Sequence, residues 1–200
     1  MIARGAVKPI SISAVPVIIT LIIGAFLWTP SYYIAGLFIV LLIAVIIFFR
    51  DPDRDVGGGV VSPADGKVIV VDKDVNRLDI FMNITDVHVN RSPYGGRVEN
   101  TKMKEGSFKP AYSKSSERNF RHHIILNTDH GKMSIYQITG IFARRIVPYI
   151  EEGDHLKKGQ RIGIIRFGSR VRVDLPKKFE ITVQEGMKVK AGESTIGVIK

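Results

Sequence analysis

The chain contains no cysteine, so disulfides, thiolate nucleophiles and cysteine-based metal sites are excluded. It is also short of charge at one end. Residues 1 to 50 hold no acidic side chain and only three basic ones, Arg4, Lys8 and Arg50, while all 19 acidic residues and 26 of the 29 basic ones follow position 50. Beyond residue 50 there is no long amphipathic helical pattern. The composition therefore divides the chain into a lipid-like head, residues 1 to 50, and a water-soluble remainder, residues 51 to 200.

Two apolar runs fill the head, Ile10 to Trp28 and Tyr32 to Phe49, separated by Thr29-Pro30-Ser31. Each approaches the roughly 20 residues that an α-helix needs to cross the hydrocarbon layer. Lys8 precedes the first run, Arg50 and Arg54 follow the second, and the intervening loop is uncharged. The positive-inside rule then predicts a transmembrane helical hairpin with both ends, and the soluble domain, on the cytoplasmic side of the cell membrane. A cleaved signal peptide fits less well, because a second apolar run follows directly. A hairpin lying within one leaflet is the alternative that Pro16 and Gly24 leave open.

The formal charge of +10 suits either nucleic acid or anionic lipid. A nucleic-acid partner calls for a basic helix or an aromatic platform, and the pattern has neither. A tethered basic domain is instead drawn to an anionic leaflet at about 1 kcal/mol per well-placed Lys or Arg. Arg144, Arg145, Lys157, Lys158, Arg170 and Arg172 are candidates for that contact.

Residues 51 to 200 read as short strands broken by Gly, Pro and Asp turns: Val60–Val61, 67–71, 78–82, 123–127, 132–139, 162–166, 171–175 and 181–183. This spacing predicts a mainly β, sandwich-like domain. A weak internal repeat points the same way. Glu152 to Gly159, closing with Ile162-Gly163, matches Glu185 to Gly192, closing with Ile196-Gly197, with the two glycines six apart in each copy. Such spacing suits two similar β-turn units, of a kind also found in biotinyl and lipoyl carrier domains. Residues 101 to 121, rich in Lys and Arg and poor in apolar residues, read as an exposed loop.

Several residues are candidates for chemistry. Asp86, His88 and Asn90 alternate, so a strand would turn all three to one face, where a carboxylate can orient the imidazole. Asp65-Gly66 lies between two apolar runs as a hairpin-turn signal. Gly168-Ser169 marks a bend between strands, and Gly106-Ser107 is a second such pair. Taken singly, a surface histidine and an ordinary turn account for these residues equally well.

Five blocks in order are more specific: Phe49-Arg50-Asp51-Pro52, Ser62-Pro63-Ala64-Asp65-Gly66-Lys67-Val68, Asp86-Val87-His88-Val89-Asn90-Arg91-Ser92-Pro93, Glu117-Arg118-Asn119 and Phe167-Gly168-Ser169-Arg170. Together they resemble the phosphatidylserine decarboxylase family, in its short form that includes archaetidylserine decarboxylases. The resemblance implies a proenzyme that cuts itself between Gly168 and Ser169, giving a large chain, 1 to 168, and a small chain, 169 to 200, that stay together as a heterodimer.

In the implied chemistry, Ser169 Oγ attacks the Gly168 carbonyl in an N-to-O acyl shift. β-Elimination then releases the large chain, and the remaining dehydroalanine hydrolyses to a pyruvoyl group. A serine hydroxyl needs a base for this, and the resemblance implies His88 with Asp65. The ketone at residue 169 then condenses with the amine of a phospholipid serine headgroup and draws off electrons as CO2 leaves, the task pyridoxal phosphate performs elsewhere. His88 would return the proton to the α-carbon. Neither pyridoxal phosphate nor a metal is implied. Where longer family members have His-x-x-His, this chain has Arg91 at the second position. Arg91 would suit the lipid phosphate, and either His88 covers both roles or His122 or His123 helps. A membrane anchor fits a diacyl or diether substrate, since each CH2 drawn from the bilayer costs about 0.8 kcal/mol.

Two rivals lie in other classes. A non-enzymatic membrane-tethered β-domain, a carrier or assembly module, would use Lys67 or Lys188 near a turn apex. A β-rich metallopeptidase would draw on Asp86, His88, His122 and His123, but lacks the usual short ligand spacing.

Overall fold

The computed structural model describes residues 1–107, 109–110, 118–140, 145–166 and 169–200. Contacts divide the chain into two compact units, Met1–Pro52 and Asp53–Lys200. The first is a helical hairpin, α1 (Val7–Phe26) and α2 (Ser31–Phe48), each long and apolar enough to span a membrane. Gly24 lets the helices approach closely, because a Cβ there would lie 2.9 Å from Ser31 Oγ. Ser31 Oγ crosses to the Thr20 carbonyl at 2.8 Å, so its hydroxyl is satisfied within the apolar hairpin.

The second unit is mainly β, as the sequence predicted. Its strands are β1 (Val60–Val61), β2 (Gly66–Asp72), β3 (Arg77–Met82), β4 (Val89–Arg91), β5 (Gly96–Lys104), β6 (Arg121–Thr128), β7 (Gly131–Thr139), β8 (Arg145–Pro148), β9 (His155–Leu156), β10 (Arg161–Arg166), β11 (Ser169–Asp174), β12 (Phe179–Ile181), β13 (Lys188–Val189) and β14 (Thr195–Ile199). They form one eight-stranded sheet, β13-β2-β3-β11-β7-β6-β5-β9, and two three-stranded sheets, β1-β14-β12 and β4-β10-β8. A single core cluster joins all three sheets, including Val60, Ile80, Ile135, Ile146, Ile162, Val171, Phe179 and Ile196.

The repeat occupies matching places in this architecture. Its two copies supply β9 and β13, the opposite edges of the large sheet, and run on into β10 and β14, the central strands of the two small ones. The paired glycines have φ of +97° and +76° in one copy, at Gly153 and Gly159, and +91° and +78° in the other, at Gly186 and Gly192. An L side chain is strained there, which explains the glycine spacing. The structure extends the repeat to the partner strands. Ser62-Pro63-Ala64-Asp65-Gly66-Lys67-Val68 and Ser92-Pro93-Tyr94-Gly95-Gly96-Arg97-Val98 make the same bonds: Gly186 N to Val68 O and Gly153 N to Val98 O, and Gly192 N to Ser62 O and Gly159 N to Ser92 O, all at 2.8 to 2.9 Å.

Two sequence readings are corrected. Asp65-Gly66 is no hairpin turn: β1 pairs with β14, and β2 pairs with β3 and β13, so the two runs it separates never pair with each other. Residues 101–104 continue β5 rather than opening a loop, with Lys104 opposite Arg121. Lys67 and Lys188 face each other across β2 and β13, in keeping with a sequence that places neither at a turn apex.

Candidate active site

Ser169 opens β11, and alternation along that strand puts Ser169, Val171 and Val173 on the buried face. All three are fully buried. The strand lies between β3 and β7, with Ser169 opposite Met82 on one side and Thr139 on the other. Apolar side chains line the core face around Val171 and Val173. Toward Ser169 that face becomes polar, with Gln137, Thr139 and His122 from the large sheet and Asn90 from β4, all buried. Ser169 Oγ donates to Met82 Sδ at 3.2 Å.

The second repeat half explains this open end. There the strand matching β3, which is β6, runs through a tight turn into β7, with Thr128 opposite Gly131. The equivalent pair in the first half is Met82 and Ser169, residues far apart in sequence. Ser169 thus occupies the position of a hairpin turn that the chain does not make. Its preceding residues, Phe167 and Gly168, and with them the scissile bond read from the sequence, lie outside the described residues.

His88 is fully buried and directly precedes β4. Its Nδ1 lies 2.9 Å from the Asp86 carbonyl, which only accepts, so Nδ1 carries the proton and Nε2 is the basic nitrogen of the neutral ring. The orienting group is thus the Asp86 backbone rather than its carboxylate, which accepts from Asn83 N at 2.7 Å and closes the turn after β3. The three alternating residues part accordingly: Asp86 lies in the turn, His88 before the strand and Asn90 within it.

Asp65 stands just before β2, and Lys67 is opposite Phe81, so register carries Asp65 toward the end of β3 that holds Met82. Both its oxygens are engaged. Oδ2 accepts from Arg54 Nη2 at 2.9 Å and Oδ1 from Ala191 N at 2.8 Å. Arg91 is buried beside the same segment, where a Cβ on Gly192 would meet its Cδ at 2.9 Å, and its Nη1 donates to the Gly159 carbonyl at 3.1 Å.

The two adjacent histidines separate by strand alternation. His122 faces the core between Gln137 and Thr101, and burial holds its pKa below the ordinary imidazole value. His123 lies on the opposite face, stacked on Tyr136 with ring centroids 4.2 Å apart. Ser107, the serine of the other Gly-Ser pair, donates to Asn119 Oδ1 at 2.9 Å. Asn119 also donates to the Thr139 carbonyl at 2.7 Å, which ties Asn119 to the strand end beside Ser169. Of the Glu117-Arg118-Asn119 block, Glu117 lies outside the described residues. Sequence reasoning missed Met82 and Gln137, whose hydrophobic-run positions gave no sign of contact with Ser169 or its neighbours.

The chain is similar to known proteins along most of its length. The phosphatidylserine decarboxylase family profile matches residues 41–197. A protein of Archaeoglobus fulgidus, provisionally named archaetidylserine decarboxylase proenzyme, is 46% identical over 88% of this chain and 88% of its own length. The phosphatidylserine decarboxylase proenzyme of Syntrophus aciditrophicus is 46% identical over 75% of this chain and 77% of its own, and that of Carboxydothermus hydrogenoformans is 40% identical over 85% and 86%. With a profile spanning most of the sequence and relatives 40 to 46% identical over three quarters or more of it, this chain belongs to the phosphatidylserine decarboxylase family.

Proposed function

We propose that the protein is a membrane-anchored decarboxylase, made as a proenzyme, that cuts itself before Ser169 and removes CO2 from the serine headgroup of a membrane phospholipid. The observation that carries this reading is the position of Ser169, buried at the first residue of a strand held by six-residue pairings on both sides. A cut on its N-terminal side leaves the pairings of residues 170–174 on both sides in place. The small chain therefore stays bound, anchored by Val171 and Val173, whose burial contributes about 1.5–3 kcal/mol each.

Ser169 also fits conversion to a pyruvoyl group, since its side chain lies on the buried face among hydroxyl, amide and thioether groups, with Met82 Sδ as its acceptor. That group supplies an electrophilic ketone that takes up the electrons of the breaking carbon–carbon bond. The remaining work falls to the chain's own residues. His88 Nε2 takes the Ser169 proton during self-cleavage and later gives a proton to the substrate α-carbon, with Nδ1 held by Asp86. Asp65, fixed by Arg54 and Ala191, supplies negative charge to the site, and Arg91 takes the lipid phosphate as a donor fork. Helices α1 and α2 keep the domain at the bilayer, on its cytoplasmic side by the basic residues flanking them.

Intact-mass spectrometry of the purified chain beside Ser169→Ala tests the reading. The expected result is two chains, 1–168 and 169–200, the smaller without a free α-amino group, and a single 22.3 kDa chain in the variant. A wild-type chain that stays whole in membranes overturns it.

A further inference from the structure

A run of buried polar side chains ends at Ser169, and the chemistry above does not use it. Met82 Sδ accepts from Ser169 Oγ at 3.2 Å and from Asn90 Nδ2 at 3.5 Å. Asn90 Oδ1 accepts from Gln137 Nε2 at 2.7 Å, Gln137 Oε1 accepts from His122 Nδ1 at 2.8 Å, and His122 Nε2 meets the Thr101 hydroxyl. Met82, Asn90, Gln137 and Ser169 are fully buried and His122 nearly so. Five elements contribute, β3, β4, β5, β6 and β7, and the run ends on β11.

One end dictates the direction of every bond. A thioether accepts and never donates, so Asn90 must turn its NH2 to Met82 and its oxygen to Gln137. Gln137 must then present its own NH2 to Asn90 and its oxygen to His122. His122 is left as the Nδ1–H tautomer, with Nε2 accepting from Thr101. Burial, which disfavours the imidazolium, keeps the ring in the neutral form that this order uses. Gly163 makes room for the central amide, since a Cβ there would come within 3.2 Å of Gln137 Nε2.

Polar chains of this length inside a core stabilise less than apolar packing would, and they specify geometry more tightly. Geometry is what Met82 needs. Methionine has three rotatable bonds and an adaptable sulfur, so the Ser169 acceptor stays in place only if something pins it. Asn90 does so, and the residues behind Asn90 fix which way its amide faces. A thioether also holds the hydroxyl weakly, orienting it while leaving its proton easy for a base to remove.

We propose that Asn90, Gln137, His122 and Thr101 are positioning residues that act through Met82 to hold the Ser169 hydroxyl for self-cleavage. The proposal rests on Ser169 being the residue before which the chain cuts itself. Since the hydroxyl is consumed in that step, the relay serves maturation and not turnover.

The test uses the full chain made by cell-free synthesis into lipid nanodiscs, as wild type, Met82→Leu, Gln137→Leu and the double variant. Cleavage is followed by intact mass, and CO2 release from phosphatidylserine is then measured per cut chain. Losing one weak hydrogen bond predicts cleavage slowed roughly five- to tenfold in each single variant. The double variant should be no slower than the slower single one, because both changes break the same relay. kcat per cut chain should fall far less than the cleavage rate in each variant. Met82→Leu conserves volume, so it decides the matter if Gln137→Leu does not fold. Cleavage of Met82→Leu at the wild-type rate overturns the proposal. So do additive losses in the double variant, and an equal loss in cleavage and in kcat, which general loosening of the core would give. A Ser169→Ala chain that is still cut removes the assignment of Ser169 itself, whatever the relay variants do.

Discussion

Asp65→Asn is a near-isosteric change whose cost follows from the geometry. In the native chain Oδ2 accepts from Arg54 at 2.9 Å, and the two side chains are 12% and 8% exposed, so water screens the pair little. Asparagine keeps an oxygen for the Ala191 N–H but turns an NH2 toward the guanidinium, a donor against a donor. Removing one partner of a buried ion pair costs about 3–5 kcal/mol. Arg54 retains Glu193 Oε1 at 3.2 Å, which lowers the figure to about 2–3 kcal/mol. In a domain of this size each kcal/mol moves the melting temperature by about 2–4 °C, giving a drop of roughly 5–10 °C. The measurement is thermal unfolding by far-ultraviolet circular dichroism in detergent, in a Ser169→Ala background so that cleavage does not contribute. Arg54→Met and the double variant complete a cycle, in which the double should cost less than the two singles together. A melting temperature within about 1 °C of the parent, or strictly additive changes, would refute the claim that the Arg54–Asp65 pair stabilises the soluble unit.

His122 titrates near 6.5 when unfolded, whereas burial lowers its pKa in the folded domain. As pH falls below about 6.5 the unfolded chain binds a proton that the folded one does not. Its contribution is therefore fully present above 6.5 and is lost as pH falls toward the folded value, at up to about 1.4 kcal/mol per pH unit. Urea midpoints across this range should decline in wild type and flatten in His122→Gln; a flat wild-type profile contradicts the assignment. Gly66→Ala should leave the chain insoluble, because a Cβ would lie 2.1 Å from the Phe81 carbonyl and push β2 off β3; soluble, cleaved protein would count against that packing. Full-length protein should sediment with membranes and be released by detergent but not by carbonate wash, and carbonate release would contradict a spanning hairpin.

Composition and pattern alone determined the large divisions of this protein. An apolar head without a single acidic residue reads directly as two helices, because only internally bonded backbone is stable in lipid. Runs such as 132–139 and 162–166 read as strands because their apolar residues have no helical period and are bounded by turn residues. Strands such as Gly96–Lys104 escaped because lysines on an exposed surface look the same in a strand and in a loop. The repeat was legible as glycine spacing, since positive φ leaves a residue-level trace. Its place at the two edges of one sheet was not, because strand order is set by pairings remote in sequence. Ser169, His88, Asp65 and Arg91 were singled out as candidates through their motif blocks. Tertiary structure alone decided that His122 rather than His123 faces the core, that Asp65 pairs with Arg54, and that Met82 reaches Ser169. Such contacts depend on register between strands 87 residues apart, which no local pattern encodes.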